Sequence, residues 1–346
     1  MDGVTDCARE FSANLATRQW QRLLLCCAVA LLATCRVAFA QTDEPEIHIP
    51  SRSTSDVSSR SDDLSTKAAK PLKANVELVL VPVTVTDPMN RSVLGLEKDN
   101  FHIYENKELQ TVQYFSSEDA PVSVGVVLDS SGSMASKIDR AREAVLELLI
   151  SANPNDEFFL VTFSDTPNEV MDFTNSVEDI QSKLPYAFPK GRTALLDALY
   201  LAITKMKRAK YSKKALLVIS DGGDNHSRYT EHEVTDLVKE ADVLVYAIGI
   251  YDHSFPTEEE RLGPTLLTEV SEGTGGRCFT IDNPGELPET AGRIGAELRN
   301  QYVLGYRPNN AVHDGKWHKI KVKLVLPKGL PPLMTHAKQG YYRSAE

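Results

Sequence analysis

Apolar positions along the chain follow two different rhythms, and the change between them divides it. Residues 76–86 (VELVLVPVTVT) repeat every second residue, with Val79, Val81, Val83 and Val85 on one face. That alternation predicts a half-buried strand. Asp87-Pro88-Met89-Asn90 supplies a turn, and short β-like runs follow at 101–104 and 109–115. The same rhythm returns near the C-terminus. Residues 300–307 read as a strand, and residues 317–326 (WHKIKVKLVL) set Ile320, Val322, Leu324 and Leu326 against Lys319, Lys321 and Lys323. Lysines at alternate positions suit a sheet with one wet face.

Between these flanks, residues 122–128 form an apolar run interrupted only by Ser123, as a strand covered on both faces requires. Ile138, Ala141, Val145, Leu148 and Leu149 then recur at helical spacing. Further apolar strands are expected at 157–163, 215–219 and 243–250, with helices at 194–207, 231–241 and 286–298. Strand and helix in alternation predict an α/β fold, a doubly wound, Rossmann-like parallel sheet with helices on both faces. The simplest architecture inserts this α/β domain, residues 121–297, into a β-sandwich-like domain built from residues 75–120 and 298–346. No internal repeat is present.

The first forty residues do not fit either rhythm. Arg18 and Arg22 precede a short apolar run from 23 to 33, and Ala38-Phe39-Ala40 gives the small-x-small pattern of a signal-peptidase site. We therefore expect residues 1–40 to be a secretory signal cleaved after Ala40, which would place the protein in the periplasm or outside the cell. Residues 51–66 hold seven Ser and two Thr with hardly any apolar residue, so 41–74 reads as a flexible tether that cannot repay the entropy of ordering. Of the five Cys, only Cys278 lies beyond the signal segment, which leaves no internal disulfide to form.

Composition narrows the function classes. With 42% hydrophobic and 25% charged residues in 346, the chain is an ordinary globular one. Its net charge of −10 gives no general electrostatic case for nucleic acid and makes a cation the more natural counterpart.

Candidate chemistry gathers where apolar strands end. The first ends in Asp129-Ser130-Ser131-Gly132-Ser133, which places three side-chain oxygens at i, i+2 and i+4 on a tight loop. Gly191-Arg192-Thr193 precedes the helix at 194–207, and Ser220-Asp221-Gly222-Gly223 follows the strand at 215–219. In an open α/β sheet these loops share one rim, where ligands sit. Asp129, Ser131, Ser133, Thr193 and Asp221 together offer two carboxylates and three hydroxyls. An all-oxygen set disfavours zinc and copper and fits Mg²⁺, Mn²⁺ or Ca²⁺. So few protein ligands favour Mg²⁺, which keeps several waters. The alternative is a rim whose Asp and Ser residues only cap helices.

The order and separation of these residues resemble the metal-ion-dependent adhesion site of the von Willebrand factor type A domain. The resemblance covers about half the chain and includes all five ligand positions. Flanking residues, among them Phe101, Tyr104-Glu105, Gln110, Phe115, Gly305-Tyr306 and Gly340-Tyr341-Tyr342, are similar to the bacterial secreted subgroup labelled "VWFA-related". The resemblance implies carboxylates that act through water, an electrophilic metal, and an open position that takes an Asp or Glu from a protein partner. It also implies movement of the helix at 286–298, which would pass straight into the strand at 300–307.

Neighbouring groups have two readings each. Asp224 is either a group that supports the ligands or, more readily, a solvated turn acid. Asp197 either orients the loop or answers the helix dipole. His226 and His232, six residues apart with no matching Cys, argue against zinc. Enzyme readings lack their frameworks. No Gly-x-Ser-x-Gly elbow surrounds Ser131 or Ser133, Gly273-Thr274-Gly275-Gly276 is a helix stop rather than a phosphate loop, and no general base for a metal-assisted hydrolase is evident. Cys278 reads as a small core residue. The expectation is thus a non-enzymatic, metal-dependent adhesion or scaffolding protein. The alternative is a structural cell-envelope protein whose β-domain assembles and whose metal only stabilises the loop.

Overall fold

In a computed structural model of the chain, the described residues are 78–221, 223–251, 258–310, 314–326 and 331–343, with backbone alone for 258–262. The expected signal segment, the tether and Gly222 lie outside them. Among the described residues, no helix is long and apolar enough to cross a membrane.

The apolar runs form one six-stranded sheet. Its strands are β5 (Ser123–Asp129), β6 (Glu157–Phe163), β7 (Pro167–Thr174), β8 (Lys214–Ser220), β9 (Leu244–Ile250) and β10 (Cys278–Ile281), in the order β10-β9-β8-β5-β6-β7. All neighbours run parallel except β7, which lies antiparallel along the edge. Every residue of β5 is buried, the polar Ser123 and Asp129 at its ends included, as the central strand of a sheet covered on both faces must be.

Alternate residues of the central strands feed two cores. On one face Val124, Val126 and Leu128 pack with α1 (Ile138–Ser151) and α6 (Leu287–Arg299) through Val145, Leu148, Ala291 and Ile294. On the other, Val127, Val161 and Val218 pack with α3 (Leu195–Met206), α4 (Glu231–Glu240) and α5 (Glu258–Glu272) through Leu199, Val234 and Val270. Each fully buried Val, Leu or Ile among them contributes about 1.5–3 kcal/mol. This is the doubly wound fold the alternation predicts. α5 stops at Glu272, where the glycine-rich run turns the chain into β10. The hydrophobic pattern does not reveal β7 or the short helix α2 (Val177–Lys183). β7 lies half-buried on an edge, with too little apolar contrast to mark its period.

The flanking strands build two four-stranded antiparallel sheets. β1 (Val79–Thr86), β4 (Val112–Ser116), β11 (Tyr302–Tyr306) and β13 (Met334–Ala337) are ordered β13-β1-β11-β4. The second sheet holds β2 (Phe101–Glu105), β3 (Glu108–Gln110), β12 (Trp317–Leu324) and β14 (Gly340–Tyr342), ordered β14-β12-β2-β3. Val81, Val83 and Val85 meet Ile103, Tyr302, Leu304 and Ile320 in a shared core. One expectation is corrected here. The run 109–115 is not a single strand but breaks at Thr111, its halves belonging to opposite sheets. A period of two cannot reveal such a crossing, because both halves keep the alternation.

Candidate metal centre

The site is assembled at the carboxyl ends of β5 and β8. Leu128 pairs with Ile219, so Asp129 comes level with Ser220 at the end of β8. The chain then leaves the sheet through Ser131, still extended at φ −69° and ψ 168°, into a single 3-10 turn, Gly132–Met134. Met134 is fully buried and fixes that turn to the core. As a result the Ser131 and Ser133 hydroxyl oxygens stand 3.0 Å apart. The Asp129 carboxylate accepts the Ser131 amide at 2.8 Å and the Ser220 hydroxyl at 2.6 Å.

A second loop is stitched to the first by main-chain bonds. The Lys190 amide donates to the Ser130 carbonyl at 2.9 Å, and the Gly132 amide to the Gly191 carbonyl at 3.1 Å. Gly191 has φ +75°, and a Cβ there would lie 2.4 Å from Asp165 Oδ2, so the position needs glycine. Gly132 has no positive φ; its own hydrogen faces the Gly191 carbonyl, where a Cβ would sit at 3.3 Å. Close approach of the two loops, rather than a free turn, is what Gly132 provides.

Thr193 follows, clasped by the third loop. Its amide donates to Asn225 Oδ1 at 3.1 Å, and its carbonyl accepts the Asn225 and His226 amides at 3.0 and 3.2 Å. Two acids complete the clasp. Asp197 accepts the Arg228 and Tyr229 amides at 2.8 and 3.1 Å. Asp224 accepts the Leu196 amide at 2.9 Å and the Ser227 hydroxyl at 2.6 Å. Asp197 therefore orients a loop, and Asp224 is a half-buried tie rather than a solvated turn acid. The loop ends where Thr230 and Glu233 form a reciprocal capping box and start α4.

Of the five candidate ligands, Asp129, Ser131, Thr193 and Asp221 are buried, at 0%, 1%, 5% and 2% exposure, while Ser133 is exposed. The rim thus opens to solvent on the Ser133 side. Burial first, and then the charge of Asp221, holds the Asp129 carboxyl well above the usual carboxylate range, against the hydrogen bonds from Ser131 and Ser220. Two buried carboxylates that repel one another favour positive charge beside them, and the Lys137 ammonium supplies it to Asp221 at 3.3 Å. Hydroxyls and carboxylates together are the oxygen donors that a hard cation would fit. Among the described residues no group of three or more His, Cys, Asp or Glu gathers in a metal-holding arrangement. His226 bonds Arg192 and His232 pairs with Asp236, so the two histidines serve different elements.

Three residues outside the five-ligand set bear on the site. Ser220 binds Asp129 directly. Lys137, at the head of α1, places its ammonium 3.3 Å from Asp221 Oδ2. The buried Tyr251 hydroxyl, which feels the Asp221 charge, has no hydrogen-bond partner among the described residues. Ser220 sits inside the Ser-Asp-Gly-Gly run and is legible there; nothing in the local sequence singles out the other two. Cys278 is half-buried, and burial pushes its thiol up, away from reactivity.

Residues 124–223 match the family model described as von Willebrand factor type A domain. Among curated proteins, an uncharacterized protein of Borreliella burgdorferi is 25% identical over 191 residues, which cover 47% of this chain and 55% of that protein. Inter-alpha-trypsin inhibitor heavy chain H4 of Sus scrofa is 28% identical over 144 residues, covering 38% of this chain and 16% of the relative. The chain thus spans about half the length of the first and about a sixth of the second. Among solved structures, a von Willebrand factor type A protein from Catenulispora acidiphila aligns at a TM-score of 0.47 and 14% identity, over 79% of this chain and 64% of that one.

Proposed function

We propose that residues 124–223, which match the von Willebrand factor type A domain model, belong to a domain that binds a divalent cation and uses it to hold an acidic residue of a protein partner. Asp129, Ser131, Ser133, Thr193 and Asp221 are the ligands in this reading, and Mg²⁺ is the preferred ion, ahead of Mn²⁺ and Ca²⁺. The role is binding rather than catalysis, in an adhesion or scaffolding protein exported to the periplasm or beyond the cell.

The observation that carries the reading is the pairing of two buried carboxylates with three hydroxyls on loops bonded to one another at a sheet's carboxyl edge. A bound cation would supply one open coordination position for an outside carboxylate. The chain's residues do the rest. Ser131 and Ser133 present neighbouring oxygens, Thr193 is held in place by Asn225, and Asp129 and Asp221 balance the charge.

Ser131→Ala separates this reading from a purely structural one. Capture of envelope proteins on the immobilised chain should require Mg²⁺ and be lost in the variant, with its melting temperature kept. A lowered melting temperature with capture unchanged would favour a metal that only stabilises the loop.

A further inference from the structure

Asp221 and Asp129 are two buried acids at one site, and the protein brings one cation of its own to them. Lys137 reaches Asp221 Oδ2 at 3.3 Å, and their side chains are only 12% and 3% exposed. Asp129 is satisfied differently, by an amide and a hydroxyl. Lys137 is therefore the charge partner of Asp221, the residue that closes the ligand set from the third loop. Its position is fixed by the fold. The turn Gly132–Met134 carries the chain from Ser131 to the start of α1, and Lys137 is the last residue before that helix. Its ammonium is thus delivered to the rim by the same loop that carries Ser131 and Ser133.

We infer that Lys137 is a built-in competitor for the metal: its ammonium and a divalent cation contend for the same Asp221 carboxylate. This rests on the proposed metal site and adds a threshold to it. An ion pair at this distance, largely shielded from water, is much stronger than one at the surface. A cation that takes Asp221 must first displace the ammonium. The lysine side chain is long and flexible enough to leave, which a shorter cationic group would not be. The site then loads only when the surrounding divalent concentration is high, and does not scavenge traces of metal. Lys137 also keeps Asp221 compensated before loading, so the rim does not depend on metal to stay folded.

The test is calorimetric titration of Mn²⁺ into the wild type, Lys137→Met and Lys137→Arg, with melting curves in EDTA and in saturating Mn²⁺. Methionine keeps the length of the stem without its charge; Lys137→Gln serves if Met fails to fold. The expected result is Mn²⁺ affinity in Lys137→Met at least about tenfold above wild type, since no ion pair has to break. Lys137→Arg should bind no more tightly than wild type. In EDTA, Lys137→Met should melt below wild type and gain more from Mn²⁺ than wild type does. Binding by Lys137→Met alone would support the competitor outright. Equal or weaker binding by Lys137→Met, with the wild type still binding, would overturn the competition and leave the metal site standing. Silence from both proteins would overturn the metal site and the competition with it.

Discussion

The Asp224 carboxylate accepts the Leu196 amide at 2.9 Å, tying the third loop to the first turn of the helix that follows Thr193. The bond does two things at once. It satisfies a helix-terminal amide that has no partner within the helix, and it fixes the spacing between the Thr193 and Asp221 loops. The Ser227 hydroxyl donates to the same oxygen at 2.6 Å and the Ser227 amide to the other at 3.3 Å, which prevents the carboxylate from swinging away. Asp224→Ala should therefore weaken divalent-cation binding by roughly 10- to 100-fold, the usual cost of losing a group that orients ligands. Titration of the variant with Mn²⁺ checks this, and unchanged affinity would show that the loop holds itself.

Arg277 and Glu297 form an ion pair between the start of β10 and the end of α6, with side-chain exposures of 11% and 3%. Burial pushes the Glu297 carboxyl up while Arg277 pulls it down. Removing the arginine leaves a carboxylate in the interior without its cation. Arg277→Met should destabilise the fold by about 3–5 kcal/mol. A second change, Glu297→Met, should recover most of that loss, because it removes the stranded charge. Urea melts of the single and double variants measure both effects.

His336, on β13, bonds the Thr86 hydroxyl of β1 through Nε2 at 3.1 Å. Burial, and behind it the Arg277 charge, pushes it down to about 4. Between that value and the ordinary one of about 6.5, the unfolded chain takes up a proton that the folded chain refuses. Stability should thus fall as pH drops from about 6.5 toward 4. His336→Gln keeps a polar partner for Thr86 but cannot titrate. Its melting temperature should fall less than that of wild type between about pH 7 and about pH 5. Parallel slopes would assign the acid sensitivity to other groups.

Much of this molecule is legible in its order of residues. β5, β8 and β9 stand out because strands covered on both faces are apolar through their middles, with polar residues of β5 and β8 confined to the ends. The motif residues are visible because a turn that presents oxygens at alternate positions needs them close in sequence. What stays hidden depends on partners distant in the chain. Lys137 looks like any lysine at a helix start, and only the return of β8 beside β5 brings Asp221 to it. Asp224 resembles a loop acid until Leu196 is seen to donate to it. The break at Thr111 is invisible for a related reason: which sheet a strand joins is decided by its neighbours, not by its own period.

Whether the five oxygen-bearing residues on three loops hold one divalent cation is decided by calorimetric titration of Mg²⁺, Mn²⁺ and Ca²⁺ into the purified protein, with Asp129→Asn as control. Saturable binding at a single site should appear in the wild type and vanish in Asp129→Asn, while the variant's melting transition stays cooperative. Binding that survives in Asp129→Asn would contradict the proposed site, as would the absence of binding in both the wild type and Lys137→Met.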